Sequence, residues 1–317
     1  GAGPVATSTI TVERIHRLID EAVRVGTIER VTFTGGEATL LGRELDDLIA
    51  HAHGARFATR LISNAYWAVS ERAAKARIQA LRRAGLDEIM FSTGTFHQTY
   101  VPVERVIRAA RSSFTNGLPA RISVEDCDQV TFDDAVLHEE LADAVASGML
   151  RIVRDPWITD AGRRGSTPLT HDRLRGRGDV PSAGGCAAIL TTVTVTPEME
   201  LVACCGFPLE QLPGLRIGTV ADEPLDAVLA RAPNDLLKIF LHVLGPVGIA
   251  QFVARYEPGY VLPSNPASIC DACTMLQRDR HAMAIAAQHA HEIADDIVAR
   301  FVASQYASSA GKLTAQL

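Results

Sequence analysis

Four cysteines set the chemical possibilities of this chain: Cys186, Cys204, and the pair in Cys270-Asp-Ala-Cys273. Four thiolates are the donor set of a [4Fe–4S] cluster, and a structural zinc accepts the same set. Cys205 adjoins the second of them, and Cys127 stands alone earlier in the chain. An even count of six would also fit disulfides in a secreted protein. No signal-peptide pattern is visible, and a Cys-Cys followed by a Cys-x-x-Cys favours metal in a reducing cytoplasm. Buried free cysteine is most often a small apolar residue. That is the plain reading of Cys127 and Cys205; the sharper one makes each a thiol or hydrogen-atom donor at a site.

A second group of candidates lies nearer the N-terminus. Residues 31–40 read Val-Thr-Phe-Thr-Gly-Gly-Glu-Ala-Thr-Leu. A β-branched and aromatic run breaks at Gly35-Gly36, then gives the carboxylate of Glu37 and the start of a helical pattern. Glycines at a strand end let a ligand approach the main chain, and Glu37 offers an anionic acceptor to a ligand cation. Comparable strand ends follow at Ser63-Asn64, Ser92-Thr93-Gly94, Glu125-Asp126 and, after the fifth strand, Gly162-Arg163. His97, in Thr95-Phe-His-Gln-Thr-Tyr100, overhangs the same side. Strand ends are polar wherever loops meet solvent, so this pattern alone leaves a structural and a functional reading level. His289 and His291 lack the spacing that puts two ligands on one helix face.

The elements that must position these groups alternate. Helical apolar periodicity marks 11–25, 42–53, 70–84, 101–116 and 133–147, and strands are expected at 28–34, 57–63, 87–92, 120–124 and 150–154. Strand–helix alternation with short linkers is the signature of a parallel sheet with helices outside, and ligand groups then gather at the strand C-termini. The expected architecture is α/β, a partial (β/α)6 barrel that calls for one further strand before Thr11. Residues 160–185 are rich in Arg, Gly and Ser. Beyond them a small hairpin is expected at 189–196 and 201–203, with its turn at 197–199. The apolar stretch 236–253 reads as two short, partly buried helices broken at Gly245-Pro246. A long Ala-rich helix is expected at 277–305, and a frayed tail at 306–317. The expected organisation is a barrel at 1–165, a linker at 166–185, a cysteine-framed domain at 186–275, and a C-terminal helix and tail at 276–317.

Composition narrows the function. The 317 residues are 47% hydrophobic and 21% charged, ordinary for a globular chain. A net charge of −6 gives no electrostatic case for nucleic acid or an anionic membrane, and 5% aromatics argue against a base-stacking surface. No uninterrupted run of about 18 apolar residues is present to span a bilayer.

The order of these motifs resembles the radical S-adenosylmethionine (SAM) enzymes over residues 11–165. Thr34-Gly-Gly-Glu37 resembles the family's Gly-Gly-Glu loop, which holds the methionyl ammonium of SAM. Ser63-Asn64 is similar to a Thr-Asn-Gly element. Gly85-Leu-Asp-x-Ile-x-x-Ser92 is similar to the Ser-x-Asp strand, with Gly94 where Asp is common. Gly162-Arg163 resembles the Gly-Arg after the last of these strands. The resemblance implies that Gly35, Gly36 and Glu37 bind the ammonium, that Ser63 and Asn64 lie beside the methionyl portion, and that Ser92 and Arg163 face the carboxylate or ribose. The family's Cys-x-x-x-Cys-x-x-Cys loop, which carries the catalytic [4Fe–4S] cluster, is absent from this chain. It normally follows the first strand and precedes the first helix, so it is expected shortly upstream of residue 1. The late cysteines resemble a twitch-type (SPASM-like) auxiliary domain, implying one extra [4Fe–4S] cluster on Cys186, Cys204, Cys270 and Cys273. Met199 occupies a turn position where Gly is usual.

This resemblance implies a 5′-deoxyadenosyl radical that abstracts hydrogen from a substrate, with an external electron donor. The substrate class it implies first is a ribosomally made peptide undergoing cross-linking, epimerisation or oxidation; a small molecule is the rival. Two other classes remain open. One is a degenerate, non-catalytic scaffold that binds a peptide or partner. The other is a zinc-stabilised α/β enzyme with Cys127 as nucleophile. Weakly marked catalytic candidates are Cys127, Cys205 and His97.

Overall fold

The computed structural model describes residues 8–125, 132–155, 184–205, 212–262, 266, 268–307 and 313–316. The first helix, Val12–Val25, shows why the local sequence folds as it does. Thr11 accepts the Arg14 amide at its start, Gly26 ends it in the left-handed region, and Ile15, Leu18, Ile19 and Ala22 form its buried stripe.

Five strands follow: β1 (Ile28–Phe33), β2 (Ala58–Ser63), β3 (Glu88–Thr93), β4 (Ala120–Glu125) and β5 (Leu150–Asp155). Each pairs in parallel with its sequence neighbour, so all five C-termini open on one rim. Helices Arg43–Gly54, Glu71–Ala84 and Val103–Thr115 make the crossovers. Leu45, Leu48, Ile49, Ile78, Leu81 and Val106 pack against Val31, Leu61, Ile89, Phe91 and Ile122, which forms the larger core. The expected helix at 133–147 is two short helices, Ala135–Glu140 and Ala142–Ala146, because Leu141 leaves helical geometry (φ −121°, ψ 20°).

The second half adds β6 (Thr192–Val195), β7 (Glu200–Val202) and β8 (Arg216–Thr219), each antiparallel to the next in a meander. The expected hairpin is there, with a third strand. Met199 sits in its turn at φ 64°, the left-handed geometry that favours glycine. Both halves join through β9 (Leu313–Gln316), which lies parallel to β1 on one side and β6 on the other. The full sheet runs β5-β4-β3-β2-β1-β9-β6-β7-β8. The tail expected to fray therefore contains a paired strand, in the slot beside β1 where the extra strand was expected before Thr11. Pairing on both sides outweighs the low local propensity of a short Thr- and Ala-containing segment.

A second buried core gathers Ile189, Val202, Leu212, Leu215, Ile239, Leu241, Ile249, Val253 and Leu276 with Cys204 and Cys273. No single described helix is long and apolar enough to cross a membrane. Leu236–Val243 and Gly245–Val253 reach that composition only together, and they are bent by 108° at their break. The single long helix expected at 277–305 is divided. Ile269–Arg278 ends at Asp279 (ψ 89°), which turns to cap Arg280–His289, and Ile293 (φ −122°) separates a short turn from Ala294–Ala307.

Candidate functional site

The strand C-termini carry carboxylates that reach sideways to the neighbouring strand. Glu37, just past β1, accepts the Asn64 amide (2.8 Å) and the Ser63 hydroxyl (2.9 Å) at the end of β2. It also takes the amide and hydroxyl of Thr39, capping the short turn Ala38–Leu41. Oε1 thus accepts three donors and Oε2 one. A carboxylate offers about four lone-pair sites, so most of this one is committed to shaping the loop. Ser63 is buried, and its oxygen also accepts the Trp67 indole (3.0 Å) and the Ala65 amide (3.1 Å). The Asn64 side chain accepts the Tyr66 amide. Gly35 stands at φ 141° with nothing within 4 Å of where a Cβ would be, leaving its backbone open to a ligand. Glu37 thus ties Ser63 and Asn64 to the loop that carries Gly35 and Gly36. Ser92 aligns opposite Ser123 on β4, two strands from β1.

Across the same rim, Glu125 at the end of β4 reaches back to β3. Its Oε1 meets His97 Nδ1 at 2.6 Å and its Oε2 accepts the Phe96 amide at 3.0 Å. This carboxylate also explains Gly94. A Cβ there would lie 2.5 Å from Glu125 Oε2, and the backbone is at φ 140°. The side chain missing at position 94 is thus replaced in space by one from the next strand. Sequence reasoning noted Glu125 only as a polar strand end; its link to His97 has no sequence signal because 28 residues separate them. Arg163 and Cys127 lie outside the described residues. A surface groove beside Lys75, Arg108 and Arg111 lies between the outer helices rather than at this rim.

The cysteine group is built from three segments. Cys186 follows Gly184-Gly185, where a Cβ on Gly185 would lie 1.6 Å from the His242 carbonyl oxygen. That close approach lets the Cys186 amide donate to Leu241 (2.9 Å) at the end of the helix Leu236–Val243. Cys204 follows β7, with its carbonyl held by Thr194 (2.8 Å). Cys270 and Cys273 share one face of the helix Ile269–Arg278, whose start Ser268 caps by accepting the Asp271 amide (3.1 Å).

Cys204, Cys270 and Cys273 are buried, Cys186 and Cys205 are half-buried, and the thiols feel one another. Burial pushes Cys270 up, reinforced by Cys186, Cys204 and Cys273. Cys273 is pushed up to about 12, by burial first and then by Cys186 and Cys204. Burial raises Cys186, with Cys204 adding to it. Every pair among the four expected ligands is therefore close enough to interact. Cys205 is raised by a hydrogen bond with Cys204, by burial, and by Cys204, Cys270 and Cys186. It packs, half-buried, against the core that holds Cys204 and Cys273. None of these five cysteines is in a disulfide with another.

Among the described residues no set of three or more His, Cys, Asp or Glu side chains is close enough to hold a single ion. A tetrahedral zinc with Zn–S of about 2.3 Å would draw its sulfurs to roughly 3.8 Å from each other. The thiols are grouped without being drawn that close. Metal uptake here would have to displace four protons from buried thiols, so it is coupled to pH and folding.

Comparison with protein-family models gives no match, and no curated protein matches the chain.

Proposed function

We propose that this chain binds SAM and an auxiliary iron–sulfur cluster in the manner of a radical SAM enzyme, acting in a reducing cytoplasm. On this reading β1 to β5 form part of a partial (β/α)6 barrel. The open Gly35-Gly36 backbone takes the methionyl ammonium, and Glu37 serves chiefly to hold that loop against Ser63-Asn64, with one acceptor position of Oε2 left for a cation. Cys186, Cys204, Cys270 and Cys273 hold the auxiliary [4Fe–4S] cluster. The observation that carries the reading is the convergence of these thiols from three segments: Cys204 and Cys273 share one buried core, half-buried Cys186 packs against it, and Cys270 lies on the helix of Cys273.

What supports the cluster over a single ion is the donor type and its spacing. Each thiolate of a four-iron cluster binds a different iron, so the cluster suits a wider-spaced thiol set than one zinc ion does. When bound, SAM and iron–sulfur clusters supply reductive cleavage of SAM and abstraction of hydrogen from substrate. The chain's own residues orient the ligand, exclude water and hold the thiols in place. A catalytic cluster needs three further thiolates that this chain does not supply. A ribosomally made peptide is the proposed substrate class, by analogy with enzymes of this architecture. A small-molecule substrate is the alternative.

Anaerobic reconstitution of the full chain with iron and sulfide tests the auxiliary site. About four irons per chain are expected, falling sharply in Cys270→Ala. Stoichiometric zinc with no iron uptake would overturn the assignment. Calorimetry with SAM tests the rim, where undetectable binding would leave a peptide- or partner-binding scaffold.

A further inference from the structure

Gln277 spends its side-chain amide on a sulfur of the proposed cluster site. It lies four residues after Cys273, on the same face of the helix Ile269–Arg278. Its Nε2 donates to Cys273 Sγ at 3.2 Å. Its Oε1 is buried and has no hydrogen-bond partner among the described residues. Gly214, in the turn Pro213–Leu215, makes the room: a Cβ there would lie 2.7 Å from Gln277 Oε1.

A buried amide carbonyl without a partner is destabilising, and a leucine of similar volume would avoid that loss. The arrangement is useful only for what the other end of the amide does. Neutral thiol sulfur is a weak acceptor. A thiolate sulfur is a far stronger one, because hydrogen bonds to charged acceptors are about twice as strong as neutral ones. The reversed amide would set a carbonyl against a metal-bound thiolate and be repelled. The N–H end therefore suits Cys273 as a bound thiolate.

We infer that Gln277 is the hydrogen-bond donor that sets the reduction potential of an iron–sulfur cluster bound through Cys273. The inference rests on the cluster reading above. One-electron reduction adds negative charge to the cluster and its thiolates. An N–H aimed at one of those sulfurs stabilises the reduced form more than the oxidised form and so raises the potential. Gln277 keeps its proton and exchanges no electron. It is a positioning and tuning residue.

The test uses the full chain, reconstituted anaerobically with iron and sulfide, as wild type, Gln277→Leu and Gln277→Glu. Dithionite supplies the electron, and the potential is read by electron paramagnetic resonance. Iron content is expected to match between wild type and Gln277→Leu. The equilibrium constant for reduction should fall about tenfold in Gln277→Leu, a negative shift of about 59 mV for one electron. Gln277→Glu should shift further in the same direction, because it adds a negative charge. With ¹⁵N-glutamine labelling, the reduced wild-type cluster should show a nitrogen coupling in pulsed spectra; this readout needs no variant to fold. Equal potentials at equal iron content, or no nitrogen coupling in wild type, would overturn the role of Gln277 while leaving the cluster in place. Failure of wild type to assemble any cluster would remove the cluster reading and this inference together.

Discussion

Gly94 and Glu125 occupy one space: a Cβ on the glycine would lie 2.5 Å from the carboxylate of the glutamate. That carboxylate holds His97 and the Phe96 amide, so it cannot move aside without releasing both. Gly94→Ala is expected to destabilise the chain by about 1–3 kcal/mol, combining the contact with the penalty of a Cβ in a glycine-only backbone region. Adding Glu125→Ala should recover the share due to the collision, which a double-mutant cycle in urea isolates. A Gly94→Ala variant as stable as wild type would refute this account.

Glu37 gives a second test of the rim. Glu37→Ala leaves the Asn64 amide and the buried Ser63 hydroxyl without their acceptor, at about 1–3 kcal/mol of stability. Glu37→Gln is not conservative, because its NH2 would face one of those donors. Both variants should unfold at lower urea than wild type even with no ligand present. A role confined to ligand binding predicts unchanged ligand-free stability instead.

Cys205 should be dispensable where Cys204 is not. After reconstitution, Cys205→Ser is expected to retain iron close to wild type, and Cys204→Ser to lose most of it. The reason is that Cys204 is buried within the second core and interacts with all three other thiols, whereas Cys205 is half-buried at that core's edge. Equal retention by the two variants would mean that either neighbour can ligate.

Asp279 gives a pH-dependent cap. It accepts the amides of His281 (3.1 Å) and Ala282 (3.0 Å) and the Tyr260 hydroxyl (3.0 Å). The Ala282 amide is the leading cause that holds its carboxyl below the usual carboxylate range. A depressed folded pKa means that this stabilisation is complete above the unfolded value, near 3.9, and is lost as pH falls through the folded value. Asp279→Ala should cost about 0.5–2 kcal/mol at neutral pH. Asp279→Asn should keep most of the cap but lose its share of the acid sensitivity. Urea midpoints at pH 7 and pH 3 separate the three forms, and an Asn variant as acid-sensitive as wild type would contradict this.

Met199 holds φ 64° in the β6–β7 turn while its side chain packs partly against the larger core. Met199→Gly removes a left-handed penalty of about 1–2 kcal/mol and loses some packing. It should be neutral or stabilising by up to about 1 kcal/mol, unlike a typical large-to-glycine change. A clear loss of thermal stability would show that packing outweighs backbone geometry here.

The sequence by itself determined what repeats locally. Apolar periodicity located the helix Val12–Val25 and the strands β1 to β5 within a residue or two of each end, because amphipathic period and turn residues act over a few positions. It also singled out the four thiols, since cysteine chemistry is legible without coordinates. What it could not determine depends on long-range pairing. Strand β9 is four residues with little propensity of its own, and only partners on both sides, far away in sequence, make it a strand. The helix expected at 277–305 looked continuous because Asp279 and Ile293 break it through backbone turns that apolar periodicity does not register. Glu125 reached His97, Glu37 spent its carboxylate on Ser63-Asn64, and Gln277 met Cys273 beside Gly214 only once the chain had packed. Those contacts set which groups remain open to a ligand, and they are decided by the tertiary structure.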